Sequence, residues 1–377
     1  MKYGNVSKTA RFLIDRHLKQ LEYTKNLNDE CPNFPYLIHI EPTNICNLRC
    51  IHCIQNTMKR KRGMMDFKLF KKIVNEISQY SCALTLDMQG EPLLHKQILD
   101  FVKYSKEKDL FTSIITNATM LTKEVSKKLI ELELDRIMFS FDSLDKSIYE
   151  EIRVRSNFEN TLKNIINFLE FNVEAGFPVY TCFGMVIEEK NRDKIDDDIK
   201  LLYNMPLNEV FAFPMLNMLG DCECLEDNSV YNLMNNTEKE NWPVCRVPWD
   251  HMAINWNGDV LACPVDFEGR FVIGNIEKET LHEIWNGSKM KVHRNALLNK
   301  DYSEIEKKGN LCKHCTCMWN EEYDIRDYSK FMTSFFIREI SQLGPKIGKV
   351  GNSKKEINIK IKYLNTIKEK LEKKEPL

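Results

Sequence analysis

At 377 residues and 44.4 kDa the chain is too long for one small core and suits a large α/β domain with a smaller companion. A formal charge of −1 argues against a dedicated nucleic-acid binder, and 43% apolar with 29% charged residues suits a soluble globular protein. No run reaches the roughly 20 apolar residues of a membrane span, and the opening MKYGNVSKTARFLIDRHLKQ lacks a signal-peptide core, so a cytoplasmic protein with no membrane span is expected.

In chain order, residues 1–30 read as an amphipathic helix, with Phe12, Leu13, Leu18 and Leu21 near helical spacing, inside an N-terminal extension of residues 1–35. Short β-branched or aromatic runs then alternate with helical patterns. The strand candidates are YLIHI (36–40), LTLDM (84–88), FTSIIT (111–116), RIMFSF (136–141), VYTCFGMVI (179–187) and EVFAF (209–213). Helical patterns fall near 67–80, 96–108, 122–132, 158–174 and 193–203. Such alternation implies a parallel sheet with helices packed outside. Six units are fewer than a closed eight-fold barrel needs, so residues 36–214 are expected to form a partial (β/α)6 barrel, an α/β fold.

Residues 215–244 change character, rich in Asn, Asp and Met, and read as a linker. A second cysteine-bearing unit spans 245–322, and a helical, basic extension occupies 323–377. From Lys346 to Leu377 ten lysines stand against four glutamates, which reads as a solvated extension or, alternatively, as a site for an anionic partner. The apolar stretch FMTSFFIREI (331–340) suits packing against the barrel, or a dimer or membrane-edge contact.

Thirteen cysteines in a reducing compartment point to metal or iron–sulfur ligation rather than disulfides. Cys46, Cys50 and Cys53, spaced C-x3-C-x2-C, follow the first strand candidate directly. An iron–sulfur cube is normally held by four thiolates, and three leave one iron open for a small chelating molecule. A zinc site is the rival at this position.

This stretch resembles the signature of the radical S-adenosylmethionine (SAM) enzymes, C-x3-C-x-aromatic-C, with His52 in the ring position commonly placed near the adenine. The resemblance implies a [4Fe–4S] cluster on Cys46, Cys50 and Cys53, SAM on its open iron, and reductive cleavage to a 5′-deoxyadenosyl radical. Gly90, Glu91 and Pro92 in LDMQGEPLLH are similar to the family's GGEP motif at the SAM amino group, with Gln89 replacing the first glycine. Thr116 and Asn117 end the third strand candidate, and Ser140 and Asp142 end the fourth, resembling the polar groups near the SAM ribose. All fall at the carboxyl ends of strands, where parallel barrels build their active sites. The blander readings are Glu91 as a cap of the helix near 96–108, Ser140 and Asp142 as turn residues, and His52 as a packing residue.

In CRVPWDHMAINWNGDVLACPVDF, Cys245, Gly258 and Cys263 match the opening C-x9–15-G-x4-C of the SPASM or twitch extension of these enzymes, and NGD reads as a hairpin turn that brings the two cysteines together. With Cys312 and Cys315 the resemblance implies one auxiliary [4Fe–4S] cluster with no open iron; zinc is the alternative. No cysteine follows Cys317, so the shorter, single-cluster form is the better match.

Six cysteines remain: Cys31, Cys82, Cys182, Cys222, Cys224 and Cys317. Most suit buried small hydrophobes, while Cys222 and Cys224 in GDCECLED are candidate hydrogen-atom donors to a substrate radical. The reaction expected is oxidation of a small sugar- or cyclitol-like substrate, with the auxiliary cluster accepting the electron; N-terminal residues 1–35 look short for the leader-binding domain of a peptide modifier. Epimerisation, peptide modification and a non-catalytic iron–sulfur scaffold are the alternatives. Oxidation needs a base, for which Glu188, Glu189 and Arg192 are candidates against a reading as solvated loop charges. The run KRKR (59–62) suits a phosphorylated or nucleotide-linked substrate, or else a solvated stretch. Flavodoxin or ferredoxin is the expected electron donor.

Overall fold

Strand and helix alternate from Leu37 to Pro214 as the hydrophobic periodicity requires. The computed structural model describes residues 27–80, 82–215, 236–238, 241–307, 312, 315 and 354–373; Cys222, Cys224, Cys317, the amphipathic segment up to residue 26 and FMTSFFIREI lie outside them. The strands are β1 (Leu37–Ile40), β2 (Ala83–Leu86), β3 (Phe111–Thr116), β4 (Arg136–Ser140), β5 (Tyr180–Ile187), β6 (Glu209–Pro214), β7 (His251–Ile254), β8 (Asp259–Leu261) and β9 (Val272–Asn275). The described residues fall into two compact units, bounded at 1–41, 57–84 and 216–349 for the first and at 42–56, 85–215 and 350–377 for the second.

In the second unit β3, β4, β5 and β6 are parallel and consecutive, with Thr116 opposite Phe139, Ser140 opposite Gly184 and Ile187 opposite Pro214. Pro214 closes the edge strand, where its missing N–H costs no ladder bond. The return helices are α1 (Phe67–Ile77, in the first unit), α2 (Ile98–Glu107), α3 (Lys123–Glu131), α4 (Lys146–Ile152), α5 (Phe158–Glu174) and α6 (Ile195–Leu202). Several start on side-chain caps, with Thr122 accepting from Val125 N–H, Asp145 from Ser147 and Ile148 N–H, and Asn157 from Asn160 N–H. Asn172 of α5 clasps both backbone groups of Val179, at 2.8 and 3.1 Å, and so fixes where β5 begins. Phe139, Phe141, Phe168 and Phe183 form its aromatic core. A basic C-terminal helix, Lys354–Lys373, lies on α5, with Leu364 and Ile367 buried and Lys368 paired to Glu170. That part of the lysine-rich tail is therefore packed on one side rather than wholly solvated.

In the first unit β1 pairs in parallel with β7, Leu37 opposite His251 and Ile40 opposite Ile254. The start of β2 joins β1 through Ala83 N–H to Tyr36 C=O at 2.6 Å. β7 and β8 form an antiparallel hairpin around Asn257 and Gly258, and β8 pairs with β9. Gly258 sits at φ +83°, and a Cβ there would stand 2.9 Å from Ile276 Cγ2, so the NGD turn requires its glycine. Trp249, Trp285 and Phe271 fill this core, with Leu281–Trp285 and Ser288–Asn299 packed as helices α8 and α9 after the short α7 (Val247–Asp250). The turn Ser303–Glu306 follows as α10, so the Lys354–Lys373 helix is α11. The strand orders β6-β5-β4-β3 and β1-β7-β8-β9 do not return on themselves, so the sheets are open. Among the described residues no helix is long and apolar enough to cross a membrane.

Candidate active site and auxiliary thiol site

The loop carrying Cys46, Cys50 and Cys53 is held from two sides within the second unit. Arg49 N–H donates to Val154 C=O and Ile51 N–H to Ile152 C=O, both at 2.9 Å, which ties the loop to the end of α4. On the other side Gly90 adopts φ +136°, and a Cβ on it would meet Thr43 C=O at 2.3 Å. Only glycine lets these two backbones approach so closely. Glu91 N–H then donates to Ile45 C=O at 2.9 Å, one residue before the first cysteine.

Glu91 is almost wholly buried, and its carboxylate accepts from Leu93 N–H at 3.0 Å, Thr116 Oγ1 at 2.6 Å and Asn117 N–H at 2.7 Å. Burial raises its pKa, and the three donors pull against that shift. Its capping role is real but serves the short turn Pro92–Leu94, not the helix that follows. The carboxylate ties the turn after β2 to the end of β3. Asn117 faces the cysteines: its side-chain amide donates to Cys46 Sγ at 3.7 Å and to Asn47 Oδ1 at 3.1 Å. Leu48 N–H also donates to Cys46 Sγ, at 3.4 Å. Burial pushes the Cys46 thiol up to about 11 and Cys53 to about 12, and raises Cys50; the three also act on one another electrostatically.

Asp142 is fully buried, 2.8 Å from Arg153 Nε, and accepts from Val186 N–H at 2.9 Å. Ser140, at the end of β4, is half-buried. Arg153 escaped the sequence reading. Its charge acts on Cys50 and Cys53 as well as on Asp142, making it the cation beside the thiol loop. A short hydrogen bond between Nδ1 and Oε1 joins His52 to Glu188, two residues with separate roles on the sequence alone. Glu188 is buried and its N–H donates to Asn191 Oδ1 at 2.8 Å, whereas Glu189 and Arg192 are exposed. Holding Nδ1 fixes the imidazole and leaves Nε2 as its variable atom.

In the first unit Cys245, Cys263 and Cys312 each feel the charge of Cys315, and Cys312 also that of Cys245 and Cys263. Burial pushes Cys245 up to about 12 and Cys263 and Cys312 well above the ordinary thiol value. Buried His293, its pKa pushed down to about 4 by burial, places Nε2 3.4 Å from Cys312 Sγ. Arg60, from the KRKR run, is turned back onto the chain. It makes a two-pronged ion pair with buried Glu41, at 2.5 and 2.8 Å, and donates to Phe267 C=O, while Lys59, Lys61 and Arg62 are exposed. Cys31, Cys82 and Cys182 are buried, as spectators should be.

Among the described residues no three His, Cys, Asp or Glu side chains converge on a single metal ion. The fit to a cluster rests on the donor sets: soft thiols in threes and fours, buried or part-buried and mutually interacting, with Leu48 N–H and the Asn117 amide aimed at the Cys46 sulfur.

Known proteins place this arrangement. Residues 40–202 match the model of the radical SAM superfamily, and residues 245–316 match that of an iron–sulfur cluster-binding domain, SPASM. The chain belongs to the radical SAM enzymes and carries a SPASM domain; its cofactors are SAM, a [4Fe–4S] cluster and auxiliary iron–sulfur centres. It is 23% identical over 288 residues to a tungsten-containing aldehyde ferredoxin oxidoreductase cofactor-modifying protein of Pyrococcus furiosus, covering 67% of this chain and 81% of that one. It is 23% identical over 163 residues to the mycofactocin maturase MftC of Mycolicibacterium smegmatis, covering 43% and 40%. Among solved structures, Streptococcus suis SuiB bound to precursor peptide SuiA aligns with a TM-score of 0.60 at 16% identity, over 80% of this chain and 74% of that one. BtrN in complex with AdoMet and 2-DOIA aligns with a TM-score of 0.50 at 20% identity, over 75% and 93%. These likenesses share the fold.

Proposed function

We propose that this enzyme oxidises a small sugar- or cyclitol-like substrate, with Cys46, Cys50 and Cys53 holding the SAM-binding cluster and Cys245, Cys263, Cys312 and Cys315 holding an auxiliary cluster that accepts the substrate's electron. The observation that carries it is the pairing of an incomplete set of three thiols with a complete set of four. The incomplete set leaves a position for SAM, and the complete set leaves none for substrate. Held by Cys46, Cys50 and Cys53, the first cluster with SAM would supply radical hydrogen-atom abstraction, given one electron from a flavodoxin- or ferredoxin-like donor.

The chain's own part is positioning. Gly90 brings the Glu91 turn onto the cysteine loop, Asn117 and Leu48 N–H steady the Cys46 sulfur, and Arg153 offsets charge at Cys50. Glu91, Pro92, Ser140 and Asp142 follow the same strand ends as cofactor contacts, and Glu91 and Asp142 are held there by Asn117 N–H and Val186 N–H. His52, oriented by Glu188, offers Nε2 either to the adenine or as the base that takes the substrate's proton.

A second reading, modification of a peptide, is favoured by relatives named mycofactocin maturase and PqqA peptide cyclase. Deuterium-labelled cyclitols given to reduced, cluster-loaded enzyme test the first reading. It expects deuterium in 5′-deoxyadenosine and a product two electrons more oxidised. Solvent deuterium in an unoxidised product would show epimerisation instead, and turnover confined to peptides would favour the second reading.

A further inference from the structure

We propose that His293 is a positioning residue of the auxiliary centre: its Nε2–H donates to the Cys312 sulfur and keeps that centre's reduction potential high. The proposal rests on the assignment of Cys245, Cys263, Cys312 and Cys315 to an auxiliary cluster. Nε2 lies 3.4 Å from Cys312 Sγ, within hydrogen-bond reach of sulfur. A thiolate bound to iron has no proton to give, so the nitrogen must be the donor. In the neutral ring the lone pair then falls on Nδ1. That atom is buried and, among the described residues, has no hydrogen-bond partner.

Leaving a buried ring nitrogen unpaired is unfavourable, and leucine or phenylalanine would fill the same space without it. The position is also rigid. His293 lies on the buried face of α9 between Met290 and Leu297, with its ring 5.8 Å from that of Phe271. Its neighbour Arg294 is clamped by Pro248 C=O and Asn286 Oδ1, both at 2.9 Å, and stacks over Trp285. The ring is therefore aimed at one atom, the Cys312 sulfur. The groups that act most strongly on that sulfur, Cys315, Cys245, Cys263 and Asp266, are acidic. Adding an electron to such a set is disfavoured, and an N–H at sulfur offsets part of that penalty, because it binds the more negative, reduced form more strongly.

The test uses the full chain with Cys46, Cys50 and Cys53 changed to Ala, reconstituted with iron and sulfide, so that only the auxiliary centre remains. Four irons per chain and a reduced-cluster EPR signal must first be present; their loss in Cys312→Ala confirms the assignment on which the proposal rests, and their persistence there would overturn that assignment alone. A dye-mediated redox titration followed by EPR then compares His293 variants of equal iron content. His293→Leu should lower the equilibrium for one-electron reduction about tenfold, a shift of about 59 mV downward, while His293→Gln, which keeps an N–H, should stay near the parent. An unchanged potential in His293→Leu would overturn the proposal. Should His293→Leu fail to hold iron, the parent protein decides: a weak nitrogen coupling on the reduced cluster, altered by 15N-histidine, supports the hydrogen bond. No coupling, or one large enough for iron–nitrogen ligation, contradicts it.

Discussion

Arg153 Nε lies 2.8 Å from Asp142 Oδ2, and both side chains are buried. The pair joins the end of α4 to the start of the segment after β4, directly behind the thiol loop. Removing only one partner leaves the other charge buried and alone, which typically costs about 3–5 kcal/mol. Arg153→Met is expected to lose stability on that scale in denaturant unfolding, and Asp142→Asn combined with Arg153→Met to recover much of it. Single and double variants of equal stability would show that the pair is not coupled.

Gly90 offers a sharper test of the SAM site. A Cβ would overlap Thr43 C=O, and φ +136° is a conformation other residues rarely hold. Gly90→Ala should push the 43–45 segment away from its place before Cys46. The expected result is at least a tenfold loss of SAM cleavage, about 1.4 kcal/mol in the barrier, with far-ultraviolet circular dichroism preserved. Retained cleavage would mean that the approach of these backbones is not needed.

The Glu91 carboxylate accepts three hydrogen bonds and donates none. Glu91→Gln places an amide NH2 against at least one N–H or O–H donor, a buried conflict costing about 1–3 kcal/mol. Thermal unfolding should register it, and SAM binding should weaken with it. Glu91→Gln as stable as the parent would argue that the carboxyl is protonated in the fold.

The thiols predict different alkaline behaviour for empty and loaded protein. Burial holds Cys46 up to about 11, and Cys53 and Cys245 up to about 12, against an ordinary 9.0. Between those values the unfolded chain has released protons that the folded apoprotein still binds, so stability falls as pH rises from 9.0 toward 11 or 12. Below 9.0 the effect is absent. In loaded protein these sulfurs are already deprotonated, and the loss from them should vanish. Denaturation of both forms across this window measures it.

Much of this organisation was legible in the chain. FTSIIT was read to the residue because a β-branched run bounded by polar turns has one plausible conformation, and β3 spans Phe111–Thr116. The NGD hairpin was legible for the same local reason. Pairings distant in sequence were not. His52 meets Glu188 across 136 residues, and Arg60 folds back onto Glu41, where a basic run suggested only solvent or a phosphate. The seven residues of Lys146–Ile152 carry too little periodicity to announce a helix, so Arg153 at its end went unnoticed. The parallel pairing of β7 with β1 is likewise non-local, since HMAI reads equally well as half of an isolated hairpin.

The most direct test of the central claim is formation of 5′-deoxyadenosine by anaerobically reconstituted, dithionite-reduced protein given SAM, beside a variant with Cys46, Cys50 and Cys53 changed to Ala. Product from the parent and none from the variant is the predicted result. Equal product from both, or none from a parent shown to be folded, iron-loaded, SAM-bound and supplied with its substrate, would contradict it.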